Sequence, residues 1–455
     1  VAYRKAQHNA LPGSPNCGSG KLLSKLLSSL PFEMTDAQSR CVDEIRSDLA
    51  STKPMNRLLQ GDVGSGKTLV AVCAILLALE SGSEAALMAP TQILAEQHHA
   101  VLSQWLEPLG INVGLCTAKK KTGSDLPLFD QNSPRVIVGT HALLYDSSNS
   151  ENLGLVIIDE QHKFGVNQRQ KLINKGSCPD VLVMTATPIP RTLTLTVYGD
   201  LDVSVIDELP PGRGKIKTYV RQSKKHLSDS VAFLKTKLQE GRQAYIVYPL
   251  IEDSEKIKVG SVEGEFEKWS ENLSPFKCEL LHGRISPDEK DSIMDRFRVG
   301  DTSVLISTTV IEVGVDVPNA TLMYVFDAER FGLAQLHQLR GRIGRGQHNS
   351  YCVLMTGKLT SEAKEKLKVL EQSSDGFVIA EADLKLRGPG ELLGKAQSGI
   401  DRLKLGDLIT ETELVREARS LSSSLIESDP NLNNPENLYL KNLIMFDGDN
   451  DGVVA

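Results

Sequence analysis

From Leu58 onward the chain alternates short apolar runs with amphipathic stretches. The runs are Arg57 to Gln60, Ala85 to Ala89, Val136 to Val138, Leu155 to Ile158 and Val181 to Met184. Such short runs, bounded by turn formers, read as strands buried on both faces, and the longer amphipathic stretches between them read as helices. That order predicts a parallel sheet covered by helices on both faces. Leu209 to Gly214 (LPPGRG) breaks the rhythm, which resumes at Ala244 to Tyr248, Cys278 to Leu281, Val304 to Ser307, Leu322 to Phe326 and Cys352 to Met355. Two similar lobes joined by a hinge follow. After Thr360 strand signals thin out and helical periods take over, with Leu414, Ala418, Leu421 and Leu425 on one face. Upstream, Pro12 to Gly20 (PGSPNCGSG) is small, polar and rich in turn formers, so it reads as a flexible loop between two short helical stretches. The expected divisions are an N-terminal helical or linker segment (1–29), a first lobe (30–210), a second lobe (211–360) and a helical region with an acidic tail (361–455).

Composition narrows the chemistry. Lys and Arg total 51 against 58 for Asp and Glu, a net charge of −7, so there is no global attraction to a polyanion and any nucleic-acid contact must be local. The seven cysteines are odd in number and too far apart for C-x-x-C zinc spacing, which argues for reduced thiols in a reducing compartment. No apolar run approaches the roughly 18 residues that cross a bilayer, so no membrane partner is expected. The first residue is Val1 rather than Met, which suggests a piece of a longer parent and leaves any targeting peptide unreadable.

Gly61-Asp-Val-Gly64-Ser65-Gly66-Lys67-Thr68 fits G-x-x-x-x-G-K-[ST], follows a strand signal and precedes the helical run Leu69 to Leu79. Glycines let backbone N–H groups turn toward phosphate oxygens, and the helix N-terminus adds a favourable dipole. Lys67 reaches the β and γ phosphates, and Thr68 can ligate Mg²⁺. ATP or GTP binding is expected. Ninety residues on, the strand Leu155 to Ile158 ends in Asp159-Glu160-Gln161-His162. An acid at the carboxyl end of a parallel strand beside the phosphate loop is where Mg²⁺ needs a carboxylate, and the next acid can polarise an attacking water. Hydrolysis, not binding alone, is the expectation.

With these residues in place the chain resembles helicase superfamily two, and more closely its RecG branch of DNA helicases. The resemblance rests on Leu30-Pro-Phe-Glu-Met-Thr-Asp-Ala-Gln38, Ala89-Pro-Thr-Gln-Ile-Leu-Ala-Glu-Gln-His98, Val138-Gly-Thr-His-Ala-Leu143, Met184-Thr-Ala-Thr-Pro-Ile-Pro-Arg-Thr192, Ser307 to Pro318 and Gln335 to Gly346, in family order. It implies an α/β fold of two tandem RecA-like P-loop domains with parallel sheets and a C-terminal helical hairpin. By the same resemblance Phe32 and Gln38 hold adenine, with Gly314 and Asp316 also on the nucleotide. Lys67 and Thr68 take phosphate and metal, Asp159 is the magnesium partner and Glu160 the catalytic base. Gln338, Arg342 and Arg345 complete the catalytic set, the two arginines as fingers from the second lobe. A guanidinium brought across a cleft stabilises γ-phosphate charge only when the lobes close, which would tie hydrolysis to lobe motion. Thr91, Thr140 and Thr309 stand where related helicases contact strand phosphates, although a threonine at such positions also serves as a cap or turn residue. Thr185 and Thr187 resemble the element that transmits nucleotide state.

Asp375 to Gly399 is similar to the translocation motif shared by RecG and the transcription-repair coupling factor. A helix-breaking Gly388-Pro389-Gly390 after an amphipathic stretch suits a hinge loop, with Arg387 and Gln397 able to tie loop to hairpin. The resemblance implies ATP and Mg²⁺, double-stranded and branched DNA as partners, a monomeric motor, a single-strand-binding-protein contact, and a workplace in the bacterial cytoplasm at the nucleoid or in an organelle. The family's N-terminal wedge domain is not in this sequence. The basic stretch after Thr117 (Lys119 to Lys121) departs from the family's Thr-Gly pattern and reads as a solvated loop.

Two further signals are set aside. Asp447 to Gly452 matches the first half of a calcium loop but has no closing Glu, so a disordered acidic tail is expected. His98 and His99 have no third ligand at metal spacing and read as residues on a helix face. Competing functions are a coupling-factor-like translocase core, a nucleotide-gated scaffold that clamps nucleic acid without turnover, and a small-molecule kinase.

Overall fold

The computed structural model of the chain describes residues 13–117, 136–144, 152–160, 172–173, 176, 178–188, 190, 201–212, 214–249, 255–308, 317–357, 359–387 and 412–450. The chain divides into two compact units, Val1–Leu209 with Arg387–Ala455, and Pro210–Leu386.

The first unit holds strands β1 (Asn56–Gly61), β2 (Glu84–Met88), β3 (Val113–Cys116), β4 (Val136–Gly139), β5 (Leu153–Asp159), β6 (Asp180–Thr185) and β7 (Asp202–Ile206). They form one seven-stranded sheet in the order β3-β4-β2-β5-β6-β1-β7, with every pair parallel. Helices α1 (Lys21–Ser29), α2 (Asp36–Leu49), α3 (Lys67–Glu80) and α4 (Gln92–Leu106) accompany it. In α3 every residue from Leu69 to Leu79 is buried, as expected of a helix that is apolar on all sides and enclosed between a sheet and other helices. The apolar residues fall into two clusters; one contains Leu59, Leu87 and Ile157 with α2 and α3, and the other Leu58, Ala86 and Val156. Successive strand residues point to opposite faces, so the sheet is covered on both sides and its central strands read as unbroken apolar runs.

The second unit repeats the plan. Strands β8 (Ile216–Gln222), β9 (Gln243–Val247), β10 (Cys278–Leu281), β11 (Val304–Ser307), β12 (Ala320–Val325) and β13 (Ser350–Thr356) make a six-stranded sheet, ordered β10-β11-β9-β12-β13-β8, again parallel throughout. Helices α5 (Ser223–Gln239), α6 (Glu255–Leu273), α7 (Pro287–Val299), α8 (Leu333–Arg340), α9 (Ser361–Gln372) and α10 (Gly376–Arg387) follow in chain order. Two more, α11 (Thr412–Ser428) and α12 (Leu438–Asn450), belong to the C-terminal part. The α/β expectation and the helical C-terminal region are both met, and all seven cysteines are free thiols.

Four details differ from the sequence expectation. Strands β7 (DVSVI) and β8 (IKTYVRQ) lie at sheet edges with only partial burial; their polar residues break the apolar run by which the other strands were recognised. The segment before α1 is not a free loop. Gly13, Asn16 and Gly18 donate backbone bonds to Thr52, Leu49 and Leu77, and the Asn16 amide donates to Asp180 Oδ2 at 3.2 Å. Of the expected disordered tail, the residues through Asn450 are helical, and those from Asp451 on lie outside the described residues. The stripe of α11 forms a helix as its period demands, yet Leu414 and Leu421 are exposed, while Ile426 is buried.

Candidate functional site

The loop between β1 and α3 takes its shape from glycine. Gly64 (φ 75°) and Gly66 (φ 90°) occupy the left-handed region, which side-chain-bearing residues enter only at a cost. A Cβ at Gly66 would also stand 2.2 Å from the Gln38 amide nitrogen. Lys67 folds over this loop, its Nζ donating to the carbonyls of Gly61 at 2.8 Å and Asp62 at 2.9 Å. The Ser65 hydroxyl is buried without a hydrogen-bond partner. A loop that turns inward a cation and an unsatisfied hydroxyl at a helix N-terminus has the donors a polyphosphate requires. Thr68 follows on the first turn of α3, partly exposed.

Gln38 begins α2 beside this loop. The Thr35 side chain and Gln38 form a reciprocal capping box, with the Thr35 amide donating to Gln38 Oε1 at 3.0 Å. Gln38 Nε2 donates to the Ser65 carbonyl at 2.8 Å. Phe32 lies 48% exposed on the wall of a 560 Å³ cavity that Leu27, Leu30, Pro31, Met34 and Ser39 also line. An exposed aromatic beside a cavity offers a stacking surface for a heterocyclic base.

Strand β5 delivers Asp159 and Glu160 to the same edge of the sheet. Asp159 accepts the Glu160 amide at 3.0 Å on one oxygen, and its other oxygen stands 2.9 Å from His98 Nε2. Burial alone would raise the Asp159 pKa. The bond and charge of His98, the charge of Lys67 and the Glu160 amide outweigh it and hold the carboxyl below its usual range. Asp159 is therefore an anion at neutral pH, within electrostatic reach of the phosphate-loop lysine. Glu160 sits at φ 51°, a left-handed conformation that is uncommon for glutamate and concentrates at functional sites. Its Oε2 accepts the Ala186 amide from the turn after β6 at 3.4 Å. In that turn the hydroxyls of Thr185 and Thr187 bond to each other at 2.7 Å. Lys67, Asp159, Glu160, Thr185 and Thr187 thus gather where β1, β5 and β6 end.

No group of three or more His, Cys, Asp or Glu that could hold a metal occurs among the described residues. Magnesium keeps water and is commonly held by one or two protein oxygens together with substrate phosphates. Thr68 and Asp159 are suitable donors.

The two described threonines of the strand-contact set are engaged with the protein. Thr91 caps α4, accepting the Leu94 amide at 3.3 Å. Thr140 is buried and its backbone amide donates to Cys116. Thr309, Gly314, Asp316, Gln397 and Lys119 to Lys121 lie outside the described residues, and Arg387 is described for its backbone alone.

In the second unit, Gln338 lies on α8, and Arg342 and Arg345 on the turn after it; all three are partly exposed. Arg345 Nε donates to the Gly341 carbonyl at 3.2 Å, and Gly344, at φ 73°, packs against Ile216. Sequence reasoning overlooked Arg340. It is 4% exposed, and its guanidinium donates to the carbonyls of Leu370 at 3.0 Å, Ser373 at 2.8 Å and Ser374 at 3.1 Å. It also lies 2.9 Å from His337 Nδ1. This side chain fastens the arginine-bearing segment to the junction of α9 and α10. Its sequence signal is a lone Arg beside His337 on an otherwise apolar helix face. His98, read from the sequence as a helix-face residue, lies on the buried stripe with Ala95, Leu102 and Leu106, and its bond to Asp159 was not foreseen.

Three family models match in sequence order: DEAD/DEAH box helicase over residues 35–196, helicase conserved C-terminal domain over 225–347, and ATP-dependent DNA helicase RecG, domain 3, C-terminal, over 373–445. The chain is 51% identical over 426 residues to the ATP-dependent DNA helicase RecG of Synechocystis sp., covering 93% of this chain and 51% of that protein. It is 46% identical over 456 residues to that of Bacillus subtilis, covering 99% of this chain and 67% of the relative. Among solved structures it resembles RecG bound to a three-way DNA junction, with a TM-score of 0.77 and 44% identity over 91% of this chain and 55% of that one. Saccharomyces cerevisiae Dbp5, at 18% identity and a TM-score of 0.55, shares the fold. The chain spans about half to two thirds of the length of these curated relatives.

Proposed function

The chain belongs to the RecG family of ATP-dependent DNA helicases, and from that membership we propose that it is an ATP-driven translocase on double-stranded DNA that remodels stalled replication forks and branched recombination intermediates. The observation that carries this is the convergence of Lys67, Asp159, Glu160 and the Ala186 amide at the ends of β1, β5 and β6. The arrangement provides a cation for phosphate, an anion for a metal and a second carboxylate tied to a turn that can report what the first two hold.

In this reading Lys67 leaves the Gly61 and Asp62 carbonyls to take β- and γ-phosphate oxygens, and the backbone amides around Gly64 and Gly66 line the rest of the chain of phosphates. Phe32 stacks on the adenine, and Gln38 recognises its edge. Mg²⁺ on Thr68 and Asp159 would neutralise phosphate charge and orient the γ-phosphoryl group. Glu160 orients and deprotonates the attacking water, and its link to Ala186 carries the loss of the γ-phosphoryl group into the Thr185 to Thr187 turn. Arg342 and Arg345 stabilise charge on the transferred group, with Gln338 beside them, and Gly314 and Asp316 contribute to nucleotide binding. Thr91, Thr140 and Thr309 contact strand phosphates, which position DNA without reading its sequence. Arg387 and Gln397 tie the translocation loop to the helical hairpin of that motif. The motor acts as a monomer, contacts single-strand-binding protein, and works where DNA is kept, in a bacterial nucleoid or an organelle.

The deciding measurement is ATP turnover with single-stranded, duplex and branched DNA. Stimulation by duplex or branched DNA supports a double-strand motor. Turnover indifferent to DNA removes the proposal, and stimulation by single strands alone replaces it with a strand-opening helicase.

A further inference from the structure

The inward face of α4 consists of Ala95, His98, Leu102 and Leu106. An aliphatic side chain would satisfy packing at each of these positions, yet position 98 carries an imidazole that is only 8% exposed. Burying such a polar ring is unfavourable unless it is bonded. Its partner is Asp159 Oδ2 at 2.9 Å, and because an ionised carboxylate only accepts, His98 Nε2 is the donor. The other Asp159 oxygen is held by the Glu160 amide, so the carboxylate is oriented from two elements at once. Seven residues before His98, Thr91 caps the same helix. Seven residues are two turns and about 10 Å, and they return to nearly the same face. The next residue, His99, places Nε2 3.1 Å from the Val113 carbonyl of β3, which pins the middle of the helix to the edge strand.

We infer that His98 is a positioning residue for Asp159 and that, through α4, it links polynucleotide binding at the Thr91 end to the affinity of the site for metal-bound nucleotide. This rests on the strand-contact and metal roles proposed above. A metal-ligating carboxylate needs an outer partner to fix its orientation, and removal of such partners typically weakens metal binding by 10- to 100-fold. A helix that shifts when its capped end meets a phosphate backbone carries the imidazole with it. Linkage then requires the metal-bound nucleotide to strengthen DNA binding by the same factor.

The test compares the unaltered chain with His98→Leu, which completes the apolar stripe without a donor, and His98→Gln, whose amide can donate to the same oxygen. Each is titrated with fluorescent ADP in Mg²⁺ and in EDTA, with and without duplex DNA. In His98→Leu the gain in affinity from Mg²⁺ should fall about tenfold and the effect of DNA on that gain should vanish, with metal-free affinity unchanged. His98→Gln should recover most of both. A His98→Leu protein that retains the Mg²⁺ gain or the DNA effect overturns the inference, as does equal weakening with and without metal, or a Gln variant no better than Leu. An unaltered chain that binds Mg²⁺-ADP identically with and without DNA overturns the inference alone, and one that binds no Mg²⁺-ADP overturns the proposed function with it.

Discussion

Gln38 and Ser65 are joined by a 2.8 Å hydrogen bond from the glutamine amide to the phosphate-loop carbonyl, while the other end of the same side chain caps α2 through the Thr35 amide. The proposed adenine-reading residue therefore has both ends engaged, and to meet a base it must exchange one of these bonds. The cap and the loop contact can be separated by substitution. Gln38→Glu keeps an acceptor for Thr35, since either residue completes a capping box, but it loses the donor and sets a carboxylate beside a carbonyl. Position 38 is 3% exposed, so the buried carboxylate should lower thermal stability while nucleotide affinity falls at least about tenfold. Gln38→Ala should lose affinity and also about 1 kcal/mol of stability with the Thr35 amide bond, the Thr35 hydroxyl still capping the helix through the position-38 amide. Calorimetric melting and nucleotide titration would show both; a Glu variant with full affinity contradicts the assigned contact.

Lys67 and Glu160 should fail differently. Lys67→Ala removes the phosphate cation, so nucleotide binding itself should collapse. Glu160→Gln retains an acceptor for the Ala186 amide and removes only the charge. Binding should survive while turnover drops by roughly 10²- to 10⁴-fold, the range for losing a positioned general base. Single-turnover hydrolysis with binding measured in parallel separates the two. Normal turnover in Glu160→Gln would assign the base to another residue.

Arg340 makes a structural prediction. Truncation to alanine removes the donor from the buried Leu370 carbonyl and from the partly buried Ser373 and Ser374 carbonyls, at a cost of about 1–3 kcal/mol. Lysine keeps the charge but cannot reproduce the planar fork, so Arg340→Lys should recover only part of the loss. Hydrogen exchange should show the end of α9 and the start of α10 opening first in both variants. Unchanged protection there would mean that the guanidinium does not fasten the junction of α9 and α10.

The central strands and the phosphate loop were legible because each is a local pattern: a buried parallel strand is an unbroken apolar run, and Gly61 to Thr68 is an octet that one loop must satisfy by itself. Strands β7 and β8 were not, because an edge strand with one wetter side carries polar residues such as Asp202 and Lys217 and loses the run. The contacts that orient the site were illegible for a different reason. His98 meets Asp159 across 61 positions and Asn16 meets Asp180 across 164, separations that no periodicity encodes. Apart from His337, the partners of Arg340 are backbone carbonyls, which are present at every residue and do not mark their place in the sequence.

Asp180 gives the pH dependence. The residue is 6% exposed, accepts the Met55 amide at 2.6 Å and the Asn16 side chain at 3.2 Å, and has its pKa pushed up to about 6. Burial is the main cause; the Met55 and Asn16 donors oppose it, and the nearby Asp48 charge adds to it. A carboxyl whose folded pKa exceeds its unfolded value near 3.8 binds its proton more tightly in the folded chain. The stabilisation is complete below pH 3.8 and lost as pH rises through about 6, with a ceiling of about 3 kcal/mol for a shift of this size. Asparagine keeps an acceptor for Met55 and does not titrate. The stability of the unaltered chain relative to Asp180→Asn should therefore fall between pH 4 and pH 7 and level off above it, as read from urea midpoints at pH 4.5, 5.5 and 7.5. Parallel curves for the two proteins would show that Asp180 is ionised throughout, with the Asn16 and Met55 bonds strong enough to offset its burial.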